Sequence, residues 1–87
     1  MSRHEIMSPN ELNIKFVVGW DNPLKTFYLQ RIDLNKDEDD EDRINPWIGM
    51  TPDELPTVED LLIHTVPYFQ LSDELIEELR REQASAL

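Results

Sequence analysis

The sequence predicts an α+β fold: a small antiparallel β-sheet, made of a hairpin and a short third strand, packed by two C-terminal helices. Two runs within residues 13–34 carry apolar side chains at strand spacing and are separated by a turn. Another short apolar run occupies 44–50, and much of the remaining chain repeats apolar residues at helical spacing. Because the strands come first and the helices last, the order is typical of an α+β protein.

The predicted hairpin joins strands at 13–20 and 25–34 through a turn at 21–24, Asp-Asn-Pro-Leu. Every second residue of the first strand forms one apolar face, which comprises Ile14, Phe16, Val18 and Trp20. The second strand has apolar groups on both faces, with Phe27 and Leu29 on one and Tyr28, Ile32 and Leu34 on the other. We therefore expect it to be central and covered on more than one side. Pro46 confines the third strand, at 44–50, to an edge or marks its start.

Capping residues mark the predicted helix starts. Thr57 is followed three residues later by Asp60, and Ser72 precedes an apolar stripe, both of which are typical of helix N-termini. The first helix is expected to bury Val58, Leu61, Leu62 and Val66. The segments 8–11 and 51–54 predict two short capped turns. The chain is thus divided into a flexible tail at 1–7, one α+β domain at 8–84 with an acidic loop at 35–43, and a frayed C-terminus at 85–87.

Composition limits the class of protein. The 87 residues are 39% hydrophobic, which suffices for one small domain with a core. The chain has no cysteine, which excludes disulfides, cysteine-ligated zinc and thiol nucleophiles and fits a reducing cytoplasm. No apolar stretch approaches the roughly 20 residues that cross a membrane, and the N-terminus lacks a signal segment. We expect a cytoplasmic protein without a cofactor.

Negative charge dominates the chain, whose net charge is −11. Residues 44–87 carry nine acids against two arginines, and residues 33–43 carry seven acids against Lys36 and Arg43. Direct nucleic-acid binding requires a basic face, and anionic membranes repel an acidic surface, so neither partner is expected. If charge recruits a partner, that partner is a basic protein.

A contiguous acidic run is the first candidate for function, and it comprises Asp37, Glu38, Asp39, Asp40, Glu41 and Asp42. Oxygen-bearing side chains at alternate positions from Asp33 onward superficially resemble a calcium loop of the EF-hand type. The strict positions fail, because Glu38 stands where the turn needs glycine and Ile44 stands where a bidentate Glu is needed. A weak calcium- or magnesium-binding protein is therefore an alternative, and no metal ligands are assigned. A solvated acidic loop is the favoured interpretation.

Dense carboxylates also imitate nucleic-acid phosphates, so an inhibitor of a basic DNA- or RNA-binding protein is the second interpretation. The last helix suits it better than the loop does, because acids at helical spacing lie along one rigid face, among them Glu74, Glu77 and Glu78. The pair Glu74 and Glu78 is a like-charge i,i+4 pair, which weakens a helix. Such a pair is equally consistent with a role in solubility.

Catalytic motifs are not found. His64 follows Asp60 by four residues, but the sequence contains no activated hydroxyl motif to complete a triad. With only two glycines, Gly19 and Gly49, neither a phosphate loop nor a dinucleotide fingerprint is formed. A small enzyme is thus the least favoured alternative, and no catalytic residue is assigned.

Residues 17–27, Val-Val-Gly-Trp-Asp-Asn-Pro-Leu-Lys-Thr-Phe, resemble the hairpin of a family of small bacterial proteins of unknown function. An acidic loop, a Trp-containing strand and a Pro-Thr-Val-Glu helix start follow in the same order, here at 56–59. The resemblance covers roughly residues 14–80. It implies a single compact domain and carries no activity, so no functional residue is transferred.

The aromatic residues are the remaining candidates. Trp20, Tyr28 and Trp47 lie on or beside the predicted sheet and would give a partner contact area if one face is open. The alternative is that they form the core, as large aromatics usually do in small domains. The best interpretation is a non-catalytic regulatory or protein-binding module that combines this surface with the acidic loop and the last helix. A homodimer through the same surface is also compatible with the sequence.

Overall fold

Residues 3–85 are described by the structure, a computed structural model, and they form a four-stranded antiparallel sheet with two helices. The strands are β1 (His4–Met7), β2 (Ile14–Asp21), β3 (Thr26–Asp33) and β4 (Ile44–Ile48). The helices are α1 (Val58–Thr65) and α2 (Asp73–Ser85). The sheet order β1-β2-β3-β4 follows the chain, so every strand lies beside its sequence neighbour. The α+β prediction is confirmed, with one more strand than expected.

The additional strand is β1, which lies in the segment predicted to be a flexible tail. It pairs with β2 from His4 opposite Val18 to Met7 opposite Lys15. Ile6 packs against the core, whereas Glu5 and Met7 are exposed. With one core contact in four residues, the sequence of β1 shows no alternation that would predict a strand. The strand forms because it pairs with β2. Residues 1–2 of the predicted tail lie outside the described part of the chain, as do 86–87 of the predicted frayed end, while Ser85 ends α2.

The central hairpin forms as predicted, because its alternation places large apolar side chains on one face. Trp20 pairs with Phe27 across the two strands, and their ring centroids are 4.9 Å apart. Phe16 stacks its ring near Phe69, at a centroid distance of 4.7 Å. Both helices pack on this face through buried side chains, with Val58 and Leu61 from α1 and Leu79 from α2.

Both helix starts carry the predicted caps. The Thr57 hydroxyl accepts from the Asp60 backbone N–H and the Asp60 side chain accepts from the Thr57 backbone, which completes a capping box. The Ser72 hydroxyl accepts from the Leu75 N–H. One predicted core residue is wrong: Val66 follows the last residue of α1 and is 76% exposed, while Thr65 is 1% exposed. Position 65 lies on the same helical face as Val58 and Leu61, whereas position 66 does not, so Thr65 is buried although Val66 is the more apolar residue.

Candidate protein-binding face

The sheet face opposite the helices is called the open face below. Its centre is a second, smaller apolar cluster made by Val17, Tyr28 and Ile32, with Ile44 packed against it. These three side chains are buried, whereas Trp47, opposite Gln30 in the β3–β4 pairing, is 45% exposed. β3 lies between two strands and has buried apolar side chains on both faces, as predicted, but the expected covering of both faces is corrected, because α1 and α2 both pack on the opposite face. The open face therefore combines a closed apolar centre with a large indole that remains available to solvent.

Gly49 sets how the chain leaves β4 beside Tyr28. Its φ is +91°, and a Cβ added there would lie 2.2 Å from the Phe27 carbonyl oxygen and 2.7 Å from Tyr28 Cα. Only glycine allows the backbone to approach β3 this closely while adopting a positive φ. This contact places Trp47 and Met50, on either side of Gly49, next to Tyr28.

Glu54 fastens the turn that follows. Its carboxylate accepts from the Gly49 N–H at 3.1 Å, the Thr51 N–H at 3.3 Å and the Thr51 hydroxyl at 2.9 Å. The Thr51 hydroxyl, followed by the Gly49 N–H, lowers the pKa of Glu54 below its ordinary value of 4.5. The capped turn predicted at 51–54 is thus present, and it closes on the segment that carries Trp47.

A cavity of about 180 Å³ opens on the open face between Tyr28 and Trp47, and is called the Tyr28 pocket below. It is lined by Arg3, Asp21, Leu24, Tyr28, Gln30, Trp47, Gly49 and Met50. Tyr28 is 5% exposed, and burial is the main cause that raises the pKa of its phenol, with Asp21 acting in the same direction. The pocket therefore combines apolar and aromatic side chains with one carboxylate, Asp21, one guanidinium, Arg3, and one amide, Gln30.

The acidic loop folds into consecutive turns beside this pocket. Backbone bonds from Asp40 N–H to the Asp37 carbonyl and from Arg43 N–H to the Asp40 carbonyl form the turns, at 3.0 and 3.1 Å. The Asp33 N–H then closes the loop on the Arg43 carbonyl at 2.8 Å. All six acids at 37–42 are exposed. The loop is thus a folded projection that presents its carboxylates to solvent.

A groove of about 470 Å³, called the loop groove below, separates this projection from the sheet. Glu38, Asp40 and Glu41 line its loop side, and Ile32, Ile44 and Trp47 line its sheet side. Arg3, Gln30 and Trp47 line both the loop groove and the Tyr28 pocket. The structure therefore brings two predicted features together, the acidic run and the pair Tyr28 and Trp47.

Cations on the open face are partly occupied by neighbours. Glu5 accepts from Lys15 at 3.1 Å and from Arg3 at 3.2 Å, and the contact with Lys15 is the main cause that lowers its pKa. Arg43 lies 4.0 Å from Glu38. Three loop acids, Glu38, Asp40 and Glu41, and three cations, Arg3, Lys15 and Arg43, line the loop groove, so its walls are balanced in formal charge. The negative excess lies on the loop itself, whose six acids at 37–42 are all exposed.

Other predicted site residues lie elsewhere. Trp20 is on the helix-covered face and is 5% exposed, so the prediction that it shares a partner surface with Tyr28 and Trp47 is corrected. Residues alternate between sheet faces, and position 20 falls with the core set while 28 falls with the opposite set. Glu74, Glu77 and Glu78 lie on α2, where they line a separate groove that also contains His4. The acids thus form two separate regions.

Residues with catalytic or metal-binding chemistry have structural roles or stand apart over residues 3–85. The Asp60 carboxylate is held by Thr57, at 2.7 Å from its hydroxyl, and serves the helix cap rather than His64. Within the described chain, no group of three or more His, Cys, Asp and Glu side chains is arranged to hold a metal ion. Neither helix in that part of the chain is long and apolar enough to cross a membrane.

Sequence reasoning missed the Tyr28 pocket. Asp21 ends β2, Leu24 lies in the turn after it and Met50 follows β4, and the packing of Gly49 on β3 brings Met50 to the Tyr28 side of the sheet. The available signal was a lone glycine two residues after Trp47, in a chain with two glycines. Comparison with protein-family models, curated proteins and solved structures finds no match to this chain. The resemblance to small bacterial proteins of unknown function stays a prediction.

Proposed function

We propose that this protein is a small cytoplasmic, non-catalytic binding module whose open face receives a basic segment of another protein. One observation supports this most: the half-exposed Trp47 indole lines both the Tyr28 pocket and the groove beneath the acidic loop. Tryptophan is enriched among residues that dominate binding energy at interfaces. The exposed indole that would contact a partner and the acids that would attract it therefore line the same groove of the open face.

Charge gives the partner its sign. The chain carries −11, and three of the exposed acids at 37–42 line the loop groove together with Trp47. A concentrated run of exposed acids raises the association rate of a positive partner and makes that rate sensitive to salt. Contact of the partner with the Trp47 indole would then slow dissociation. A basic segment with at least one long side chain to place against Trp47 fits both contributions.

Site-specific photo-cross-linking tests the face itself. A photoreactive phenylalanine analogue replaces Trp47 in one variant and Ile63, which is 68% exposed on α1, in a control variant. We expect an adduct with one protein from position 47 in native cells, cross-linked through a segment rich in Lys and Arg. The same adduct from both positions, or none from position 47, would contradict the proposal.

A charge-matched pair of variants separates this proposal from nucleic-acid mimicry. Glu38→Gln with Asp40→Asn and Glu41→Gln removes three charges from the loop groove; the control removes three from α2, at Glu74, Glu77 and Glu78. The partner identified by cross-linking is then purified on its own. The loop variant should bind it at least about tenfold more weakly than the wild type at low salt, and the α2 variant should bind it as the wild type does. Weaker binding by the α2 variant than by the loop variant would favour nucleic-acid mimicry. Arg81 lies 2.7 Å from Glu78 and already neutralises part of the α2 face, which argues against mimicry.

A further inference from the structure

The Tyr28 pocket has the dimensions of one amino-acid side chain. Its volume is about 180 Å³, and a cavity of roughly 150 Å³ in a protein interior suffices to hold benzene. Its outer walls are the side chains of Trp47 and Met50, which are 45% and 55% exposed, so the opening is on the solvent side. The inner wall is formed by Tyr28, a buried residue of β3, and by the Gly49 backbone, which packs against that strand. A partner side chain therefore enters without displacing a core residue.

The walls suit a long aliphatic stem that ends in a positive charge. Tyr28, Trp47 and Met50 offer aromatic and thioether surface, and aromatic rings attract a cation placed over their faces. Asp21 is the carboxylate of the lining; one of its oxygens, Oδ1, accepts from the Leu24 N–H at 3.3 Å. A carboxylate has about four lone-pair sites, so Asp21 retains capacity to accept from a donor in the pocket. Lysine and arginine carry such stems and such donors.

The lining contains one cation, Arg3, and one carboxylate, Asp21. The Arg3 guanidinium donates to Glu5, outside the lining, at 3.2 Å. At Tyr28, after burial, Arg3 has the largest electrostatic effect and lowers the pKa of the phenol, whereas Asp21 and Glu82 raise it. With Arg3 engaged by Glu5, Asp21 is the carboxylate that a donor in the pocket meets, and the net charge of −11 of the whole chain favours a positive donor.

We propose that the Tyr28 pocket binds the side chain of a lysine or arginine from the partner segment, with its stem between Tyr28 and Trp47 and its charge at Asp21. This inference rests on the proposed function and names the residue that anchors the partner. It is independent of the acidic loop, which acts over a longer range on any basic segment.

Titration with two capped amino acids tests the pocket on the full chain. The probes are Nα-acetyl-lysine methylamide and Nα-acetyl-norleucine methylamide, which has the same stem without the charge. Amide and indole resonances are followed by NMR, up to about 50 mM probe, since one side chain is expected to bind at millimolar concentration. The lysine probe should give saturable shifts at Gly49, Gln30 and the Trp47 indole. The norleucine probe should bind at least about threefold more weakly.

Two variants keep the test specific. Asp21→Asn retains the oxygen that accepts from Leu24, so the turn is preserved, and should weaken the lysine probe by about threefold or more. Trp47→Ala should weaken it by a similar factor. Equal binding of both probes, no saturation, or shifts spread over the loop and unaffected by Asp21→Asn would overturn the inference. None of these outcomes alters the cross-link expected at position 47, so failure of the pocket is distinguishable from failure of the proposed function.

Discussion

The His4 imidazole Nε2 lies 3.0 Å from Oε1 and 3.2 Å from Oε2 of Glu82, two residues separated by 78 positions. This contact joins the first strand to the last helix. β1 is an edge strand with only four residues, so its ladder with β2 is short. Arg3, which immediately precedes β1, lines both the Tyr28 pocket and the loop groove. The contact between His4 and Glu82 thus helps to hold one wall of the proposed binding face.

Removing this contact should loosen β1 alone. His4→Ala and Glu82→Ala should each lower the free energy of unfolding by no more than about 1 kcal/mol, because both side chains are partly solvated. Hydrogen exchange should accelerate at the β1 amides and stay unchanged in β3, which lies between two strands. A double-mutant cycle supplies the control, since the two effects should not add. Uniformly faster exchange across the sheet would contradict a local role.

The elements predicted correctly are those whose own residues carry a complete pattern. Every second residue of β2 from Ile14 to Trp20 is apolar, β3 carries apolar residues on both faces, and Thr57 with Asp60 is a cap that needs no distant partner. β1 has one residue, Ile6, packed against the core, so its formation depends on a pairing that no local pattern contains. Local signals thus account for the hairpin and helices, and long-range pairing accounts for the edge strand.

Only those parts of the candidate site that are close together in the sequence were predicted correctly. Trp47 and the acidic loop are neighbours in the chain, and they share the loop groove in the fold. Trp20 was grouped with Tyr28 by residue type, although strand alternation places it with Phe16 and Val18 in the core. The pocket escaped prediction because its lining joins four separate segments, and their meeting point depends on Gly49 packing against β3.

Gly49→Ala should be the most damaging single-methyl addition on the open face. The new Cβ would meet backbone atoms of Phe27 and Tyr28, and the positive φ disfavours any L side chain. Together these effects should lower the free energy of unfolding by about 2–4 kcal/mol, measured by urea denaturation. Cross-linking from position 47 should fall as well, since Gly49 positions Trp47.

Lys25→Gly is the matched control for this backbone argument. Lys25 is the last residue of the β2–β3 turn and has a φ of 52°, a left-handed conformation that glycine adopts without strain. Glycine also gains more freedom in the unfolded chain, which offsets part of the relief. The free energy of unfolding should change by less than about 1 kcal/mol, in the stabilising direction. A loss as large as that of Gly49→Ala would contradict the conformational argument, because it would mean that the positive φ at Lys25 does not favour glycine.

Leu79→Ala should weaken the packing of α2 on the sheet. Leu79 is 0% exposed and is the buried residue of α2 in the larger core cluster. A buried Leu→Ala change leaves a cavity and costs about 2–5 kcal/mol. The same change at Leu12, which is 86% exposed, should alter the free energy of unfolding by no more than about 0.5 kcal/mol. An equal loss in the free energy of unfolding at Leu79 and Leu12 would contradict the packing of α2 on the sheet.

Glu54 should make the turn beside the Tyr28 pocket sensitive to acid. Its pKa in the folded protein is lowered below 4.5, first by the Thr51 hydroxyl and then by the Gly49 N–H. A carboxyl whose pKa is lower in the folded state contributes stability that is complete above its unfolded pKa and lost as the pH falls through its folded pKa. Because the side chain is exposed, this contribution should stay below about 1 kcal/mol.

The free energy of unfolding of wild type and Glu54→Gln should therefore differ by a constant amount above the ordinary carboxyl pKa of 4.5 and converge below it. Thr51→Val, which removes the largest cause of the lowered pKa while keeping the side-chain shape, should reduce the same difference. Urea denaturation from pH 7 down to the acid limit of folding measures both. A difference that persists unchanged at low pH would mean that Glu54 holds the turn through its shape or its neutral hydrogen bonds rather than through its charge.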